Sequence, residues 1–210
     1  MLEIARGQIL ERSRKIVEAA YELLEEEGLE GLTIRAVLQK TGLSRRAFYE
    51  RFADKDDLVL AVFEHTIRLA ATHYTEMVAA LAEPMERLKL IVTSIGLAVK
   101  TVDSTQSLKS TRRSAAMSRE HLRLAESRPL DLQVALRPLI ALIAQQLSDG
   151  MQAGVVRQAD PQRLAVFVYN LVATTVHTEF IVAEKARPDH AHRVQMAADI
   201  WEFCRRAITA

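Results

Sequence analysis

The chain has 210 residues, 49% of them hydrophobic and 26% charged, a composition that excludes a disordered or collagen-like protein and is ample for a packed core. Its formal net charge of +1 excludes a polycation, so any attraction to nucleic acid must come from local clustering of basic side chains. The one cysteine, Cys204, cannot form an intramolecular disulfide, the charged N-terminus lacks the apolar run of a signal peptide, and no window approaches a membrane span. A soluble cytoplasmic protein without a membrane partner is expected.

Seven glycines and five prolines leave few breaks, and the runs between them repeat apolar residues at spacings of three and four. That pattern predicts an all-α fold of about nine helices. The first helix is expected from Gln8 to Glu27, with Ile9, Ile16, Ala19, Ala20, Leu23 and Leu24 on one face and Gly28 as its stop. Thr33 caps a second, which turns Ile34, Val37 and Leu38 inward and ends at Thr41-Gly42. Ser44 caps a third, running to about Phe52.

Asp54 caps a long fourth helix, with Asp56 and Asp57 in the first turn where the helix dipole favours negative charge, and it continues to about Leu81. Pro84 opens the next. The polar stretch from Thr101 to Arg128 predicts one or two shorter helices. Pro129 starts a long helix with Pro138 as a kink and a close at Gly150 to Gly154. Asp160-Pro161 begins another, to about Lys185, and Pro188 precedes the last, which ends near Ile208.

The organisation that follows is a three-helix head over residues 1–53 and a larger helical body over 54–210. Between Gly31 and Lys55 the basic residues Arg35, Lys40, Arg45, Arg46, Arg51 and Lys55 face only Glu50 and Asp54, six cations against two carboxylates and a local excess of +4 in a neutral chain. For charge alone a solvated surface is the favoured reading. Spacing distinguishes the two. Two short helices joined by Thr41-Gly42-Leu43-Ser44 meet the needs of a helix-turn-helix: Gly42 permits a left-handed turn, Leu43 plugs the angle, and Ser44 caps the second helix. That helix shows Arg45, Arg46 and Tyr49 on one side, while Phe48 and Phe52, four apart, share the other and lock it to the core.

The stretch TIRAVLQKTGLSRRAFYERFADKDDLVLAVFE, with IVEAAYELLEEEGLEGLTI upstream, resembles the head of the TetR-type transcriptional regulators over about residues 10–65. The resemblance implies a regulator, commonly a repressor, that binds double-stranded operator DNA and carries no cofactor or catalytic site. It also implies that Thr33, Ser44, Tyr49 and Lys55 contact phosphates while Arg45, Arg46 and Ala47 face bases. Arg35 is added as a basic neighbour. This chain departs from the family in having Arg46-Ala47 where Gly-Thr is common, which removes a hydroxyl and adds a long cation. Arg46 then binds either guanine, through its two acceptors, or another phosphate.

In the body, residues 161–185 are apolar nearly all round, with Leu164, Phe167, Val168, Leu171 and Val172 on one side and Val166, Tyr169, Ala173, Val176 and Phe180 on another. Such a helix must be buried on both faces. A homodimer through helices 161–185 and 189–208 is the economical cover, with Val194, Met196, Ile200, Trp201 and Phe203 contributing, and a central core helix is the alternative. Paired heads would match paired half-sites.

The resemblance further implies a small-molecule effector pocket, for which Leu88, Ile91, Ile95, Leu139, Phe167, Asn170, Thr174 and His177 are candidates, although residues at such spacings commonly belong to a packed core. No Phe, Trp or Tyr occurs between Thr75 and Val166, so a pocket there is aliphatic and suits a lipophilic ligand. The stretch Lys100 to Arg128 holds Lys100, Lys109, Arg112, Arg113, Arg119, Arg123 and Arg128 against Asp103, Glu120 and Glu126, and reads as a solvated face or as a receiver of an acidic ligand. The six histidines, His190-Ala-His192 included, lack metal-site spacing, and no serine sits in a nucleophile elbow. Neither catalysis nor a metal is expected.

Overall fold

The computed structural model describes residues 2–97, 104–183 and 190–210. Nine helices make up these residues: α1 (Leu2–Gly31), α2 (Ile34–Thr41), α3 (Arg45–Tyr49), α4 (Lys55–Val78), α5 (Pro84–Leu97), α6 (Ser104–Ser127), α7 (Pro129–Gln152), α8 (Pro161–Ala183) and α9 (His190–Ile208). The all-α expectation holds. Among the described residues the only β pairing is an isolated bridge between Val156 and Thr209. Lys100, Thr101, Asp103, Lys185 and Pro188 lie outside the described residues, as do the side chains of Lys109, Arg112, Phe180 and His190.

Helix starts follow local chemistry. Thr33, Ser44 and Asp54 have extended backbones, and their side chains accept from the N–H groups of Ala36, Ala47 and Asp57, satisfying donors that a helix start leaves open. Gly28, at φ 73°, breaks the regular path of α1 four residues before Leu32, and Gly42, at φ 68°, ends α2 with its N–H donating to the Leu38 carbonyl. Both lie in the left-handed region that glycine enters without steric cost.

Several boundaries differ from the sequence expectation: α1 continues past Gly28 to Gly31 instead of stopping there, and α4 ends at Val78 instead of near Leu81. The first helix begins at Leu2 rather than Gln8, since nothing in MLEIARG breaks a helix. The recognition helix ends at Tyr49 rather than Phe52, as the chain turns to put Phe52 into the head. The polar stretch forms one 24-residue helix, α6, because polarity without Gly or Pro does not interrupt a helix.

Two apolar clusters hold the molecule. The smaller gathers Ile16, Ala20, Leu23 and Leu24 of α1, Leu32, Val37 of α2, Phe48, Phe52, and Leu58, Val59 and Val62 of α4. Ala116 of α6 completes it. The larger joins α4, α5, α7, α8 and α9 with Leu124 of α6, through residues such as Phe63, Leu88, Ile91, Leu139, Ile143, Leu147, Val172 and Trp201. Helix α4 therefore serves both clusters, with Leu58, Val59 and Val62 in the head's and Leu60, Phe63 and Val78 in the body's. The C-terminus is tied beside the α7–α8 connection, where Arg157 N–H donates to the Ile208 carbonyl at 2.9 Å.

Candidate nucleic-acid interface

Helix α3 is only five residues long, and its placement rests on Phe48, which is fully buried and meets Phe52 and Tyr49 with ring centres 5.3 Å away in each case. With Phe48 inward, the helical period turns Arg45, Arg46 and Tyr49 outward. All three are exposed, Tyr49 by 53%. Thr33 and Ser44, also exposed, stand at the starts of α2 and α3, where their caps are made at 3.1 and 3.3 Å. The sequence-predicted residues Thr33, Arg35, Ser44, Arg45, Arg46 and Tyr49 are thus side chains of one helix-turn-helix that open to solvent.

Two predicted residues sit differently. Ala47 shares the buried side of α3 with Phe48, so its methyl packs into the head instead of joining the outward set. Lys55 is half-buried, and its ammonium donates to the Leu29 carbonyl at 3.3 Å, stitching the start of α4 to the end of α1.

The basic excess also redistributes. Lys40 is held by Glu22 and Glu26 at 3.1 and 3.2 Å, which spends its charge on α1. Arg46 lies 3.3 Å from Glu50, one turn on, but its side chain stays 89% exposed, and Glu50 also meets Arg12. An exposed i,i+4 pair of this kind is worth only ~0.3–0.5 kcal/mol and yields readily to a phosphate or a base. Arg35 and Arg45 are exposed cations, and Arg51 lies over the Phe52 ring at 5.7 Å.

The body's basic stretch has its acidic counterpart inside the protein. Arg113 of α6 pairs with Glu25 and donates to the Tyr21 hydroxyl, both on α1. Arg123 reaches Asp56 at 3.1 Å, and Arg128 reaches Asp57 at 2.8 Å, both in the first turn of α4. Neither a solvated face nor an open acid-receiving surface describes these three arginines: Arg113 ties α6 to α1 of the head, and Arg123 and Arg128 hold the first turn of α4. The Arg128 guanidinium, helped by the Ala53 N–H, holds the Asp57 carboxyl below its usual range.

The predicted effector residues do not converge. Leu88, Ile91 and Leu139 lie in the packed core of the body and Ile95 against its edge. His177 is half-buried, its Nδ1 2.8 Å from Ser118 Oγ, and burial with the neighbouring His121 pushes its imidazole down to about 3. Phe167, Asn170 and Thr174 occupy the outward face of α8 instead, Phe167 being 60% exposed. Val166 joins it there, and Val194 and Phe203 form the matching exposed face of α9, whereas Ile200 and Trp201, expected on that face, belong to the core. Between α8 and α9 a surface groove of about 360 Å³ is lined by Leu171, Met196, Ile200 and Phe203 among others. Sequence periodicity missed Ser118, His121 and Tyr169, which gather around His177 from positions far apart in the chain.

Comparison with known proteins agrees with this geometry. Residues 16–62 match the family described as bacterial regulatory proteins, tetR family. The HTH-type transcriptional regulator BetI of Burkholderia ambifaria (strain MC40-6) is 34% identical over 93 residues, covering 44% of each chain, so the match spans under half of that relative's length. In fold, a TetR-family transcriptional regulator from Pectobacterium atrosepticum superposes with a TM-score of 0.74 at 20% identity, over 98% of this chain and 97% of that one. The transcriptional regulator FadR from Bacillus subtilis, solved in complex with stearoyl-CoA, follows at 0.63 and 16%, over 91% and 96%. The head, residues 16–62, thus carries the sequence pattern of the tetR family, and the helical fold is shared along nearly the whole chain with solved proteins described as TetR-family regulators.

Proposed function

We propose that the protein is a cytoplasmic transcriptional regulator, a repressor, that binds operator DNA as a homodimer and is released by a small lipophilic effector held in the body. The observation that carries this reading is the recognition helix: Arg45, Arg46 and Tyr49 turned outward over a buried Phe48, with capped helix starts at Thr33 and Ser44 beside them. Arg45 and Arg46 supply base or phosphate contacts, Arg35 and the hydroxyls of Thr33, Ser44 and Tyr49 supply phosphate contacts, and the first turn of α4 at Lys55 adds backbone donors. Ala47 contributes closeness of approach through its small size, not a directed side chain.

Residues 1–53 form the DNA-binding part in this reading, and 54–210 the regulatory and dimerising part. The partner subunit covers the exposed apolar faces of α8 and α9, including Phe167 and Phe203. The effector enters the aliphatic side of the body near Leu88, Ile91, Ile95, Leu139 and His177, whereas Phe167, Asn170 and Thr174 fall to the dimer face. A ligand that shifts α4 against the body alters the spacing of the two heads; α6 follows through the Arg113 and Arg123 pairs, and the start of α7 through Arg128.

The test is binding of labelled duplex DNA with the salt concentration varied. A regulator loses affinity linearly in log salt as phosphate contacts release counterions, and Arg45→Ala weakens it. A helical adaptor without DNA function would shift no DNA at any salt.

A further inference from the structure

Glu50, the residue that closes α3, stands between two arginines of the head's exposed face. Its Oε1 accepts from Arg46 Nε at 3.3 Å, and its Oε2 lies 3.7 Å from Nη1 of Arg12, on α1. Its backbone is tied as well, the Glu50 N–H donating to the Arg46 carbonyl at 3.0 Å. The carboxylate is therefore held from two helices, while the Arg46 side chain stays 89% exposed.

Which nitrogen Glu50 takes decides what Arg46 can still do. A guanidinium is a planar fork with a single N–H on Nε and the remaining donors on its two terminal nitrogens. Glu50 uses the first, so the end of the fork, Nη1 and Nη2, is left to meet a partner head-on. Two parallel donors of this kind match the O6 and N7 acceptors of guanine in the major groove. They also match a pair of phosphate oxygens, but a phosphate brought to this guanidinium meets the Glu50 carboxylate too, and the two anions repel. Guanine offers neutral acceptors and escapes that repulsion. Position agrees, because Arg46 is the second residue of α3, and the N-terminal residues of a recognition helix are the ones that reach base edges. In water the Arg46–Glu50 bond is weak. A guanine does not compete with it, since the two use different nitrogens.

Resting on the operator-binding reading above, we infer that Glu50 is a specificity-determining positioning residue: it holds Arg46 by Nε so that the two terminal nitrogens are presented to one guanine of each half-site. Glu50 touches no base itself. Its negative charge repels phosphates of every sequence, so it lowers general affinity while adding discrimination.

The test uses duplexes enriched from a random pool by the wild-type chain, each then varied base by base, with 7-deazaguanine, which lacks N7, replacing each guanine in turn. Discrimination is the ratio of affinities for the guanine duplex and its variant. In the wild type one position per half-site should show a ratio of about 5- to 150-fold, and Arg46→Ala should abolish it. Glu50→Ala should lower the same ratio about twofold or more while tightening binding to unrelated duplexes. With Arg46→Ala already present, Glu50→Ala should change no ratio, as a residue acting only through Arg46 must. A ratio indifferent to Glu50→Ala overturns the proposal, and so does uniform weakening across sequences in Arg46→Ala, the mark of a phosphate contact. A Glu50→Ala loss that persists without Arg46 also overturns it, and would assign Glu50 to a cytosine amino group directly. A wild-type chain that enriches no duplex removes the operator reading and this inference with it, whereas enriched duplexes without an Arg46-linked guanine leave that reading standing and remove this inference alone.

Discussion

At the scale of single residues, the head's chemistry is decided by which way each side chain of α3 points. Phe48 has no exposed surface and anchors the helix, so Phe48→Ala should cost ~3–5 kcal/mol and lower the melting temperature even without DNA. Ser44→Ala removes the cap on the Ala47 N–H and should cost ~1 kcal/mol, measurable by denaturant unfolding. Arg46→Ala touches no core and should leave stability within ~0.5 kcal/mol. Its effect belongs to DNA: loss of preference at one operator position means a base contact, while uniform weakening across sequences means a phosphate contact and removes the base-reading role. Most of this was legible from Thr33, Gly42, Ser44, Phe48 and Tyr49, because caps, a left-handed turn and the 3.6-residue helical period are local. Ala47 was not: the resemblance placed it with the readers, but its own position beside Phe48 turns it inward.

At the scale of elements, α6 is where sequence reading fell shortest. Arg113 meets Glu25 across 88 positions of chain, a separation that no local pattern encodes, so a basic stretch looked solvated or ligand-seeking. Its partner was an acidic face of α1 and the acidic first turn of α4. The Arg113–Glu25 pair is partly buried, and a double-mutant cycle with Arg113→Ala and Glu25→Ala should give a coupling of ~1–3 kcal/mol. A coupling near zero would make the clasp a crystal-like surface contact without energetic weight. The Arg128–Asp57 clasp carries a pH signature. Asp57 has a carboxyl pKa depressed in the folded protein, so the folded state binds fewer protons than the unfolded one at acid pH. Its stabilising contribution is present above the ordinary carboxylate range and is lost as pH falls through the folded value. Asp57→Asn should therefore flatten the acid limb of stability against pH, and an unchanged limb would show that Arg128 does not hold that charge. Close packing at the C-terminal end gives a further check. A Cβ on Gly150 would stand 2.5 Å from Val156 Cγ2, so Gly150→Ala should destabilise by ~1–3 kcal/mol despite its better helix propensity.

At the scale of the whole molecule, the helix order, the division of labour along α4 and the apolar surplus of α8 were all legible, since each follows from the 3.6-residue period and from Gly and Pro placement. The sorting of α8 into a buried face of Val168, Val172 and Val176 and an exposed face of Val166 and Phe167 was not, because an all-round apolar helix does not state which face meets its own chain. Phe167→Glu and Phe203→Glu leave the core untouched and should convert a dimer to a monomer in analytical ultracentrifugation. A dimer that survives both would place the interface elsewhere. That the outward face of α3 reads operator DNA can be checked by selecting duplexes from a random pool with the 210-residue protein and repeating the selection with Arg45→Ala. The wild type should enrich two related half-sites with salt-dependent affinity, and the variant should lose that enrichment. A pool that stays random with the wild-type chain, or an enriched motif untouched by Arg45→Ala, would contradict it.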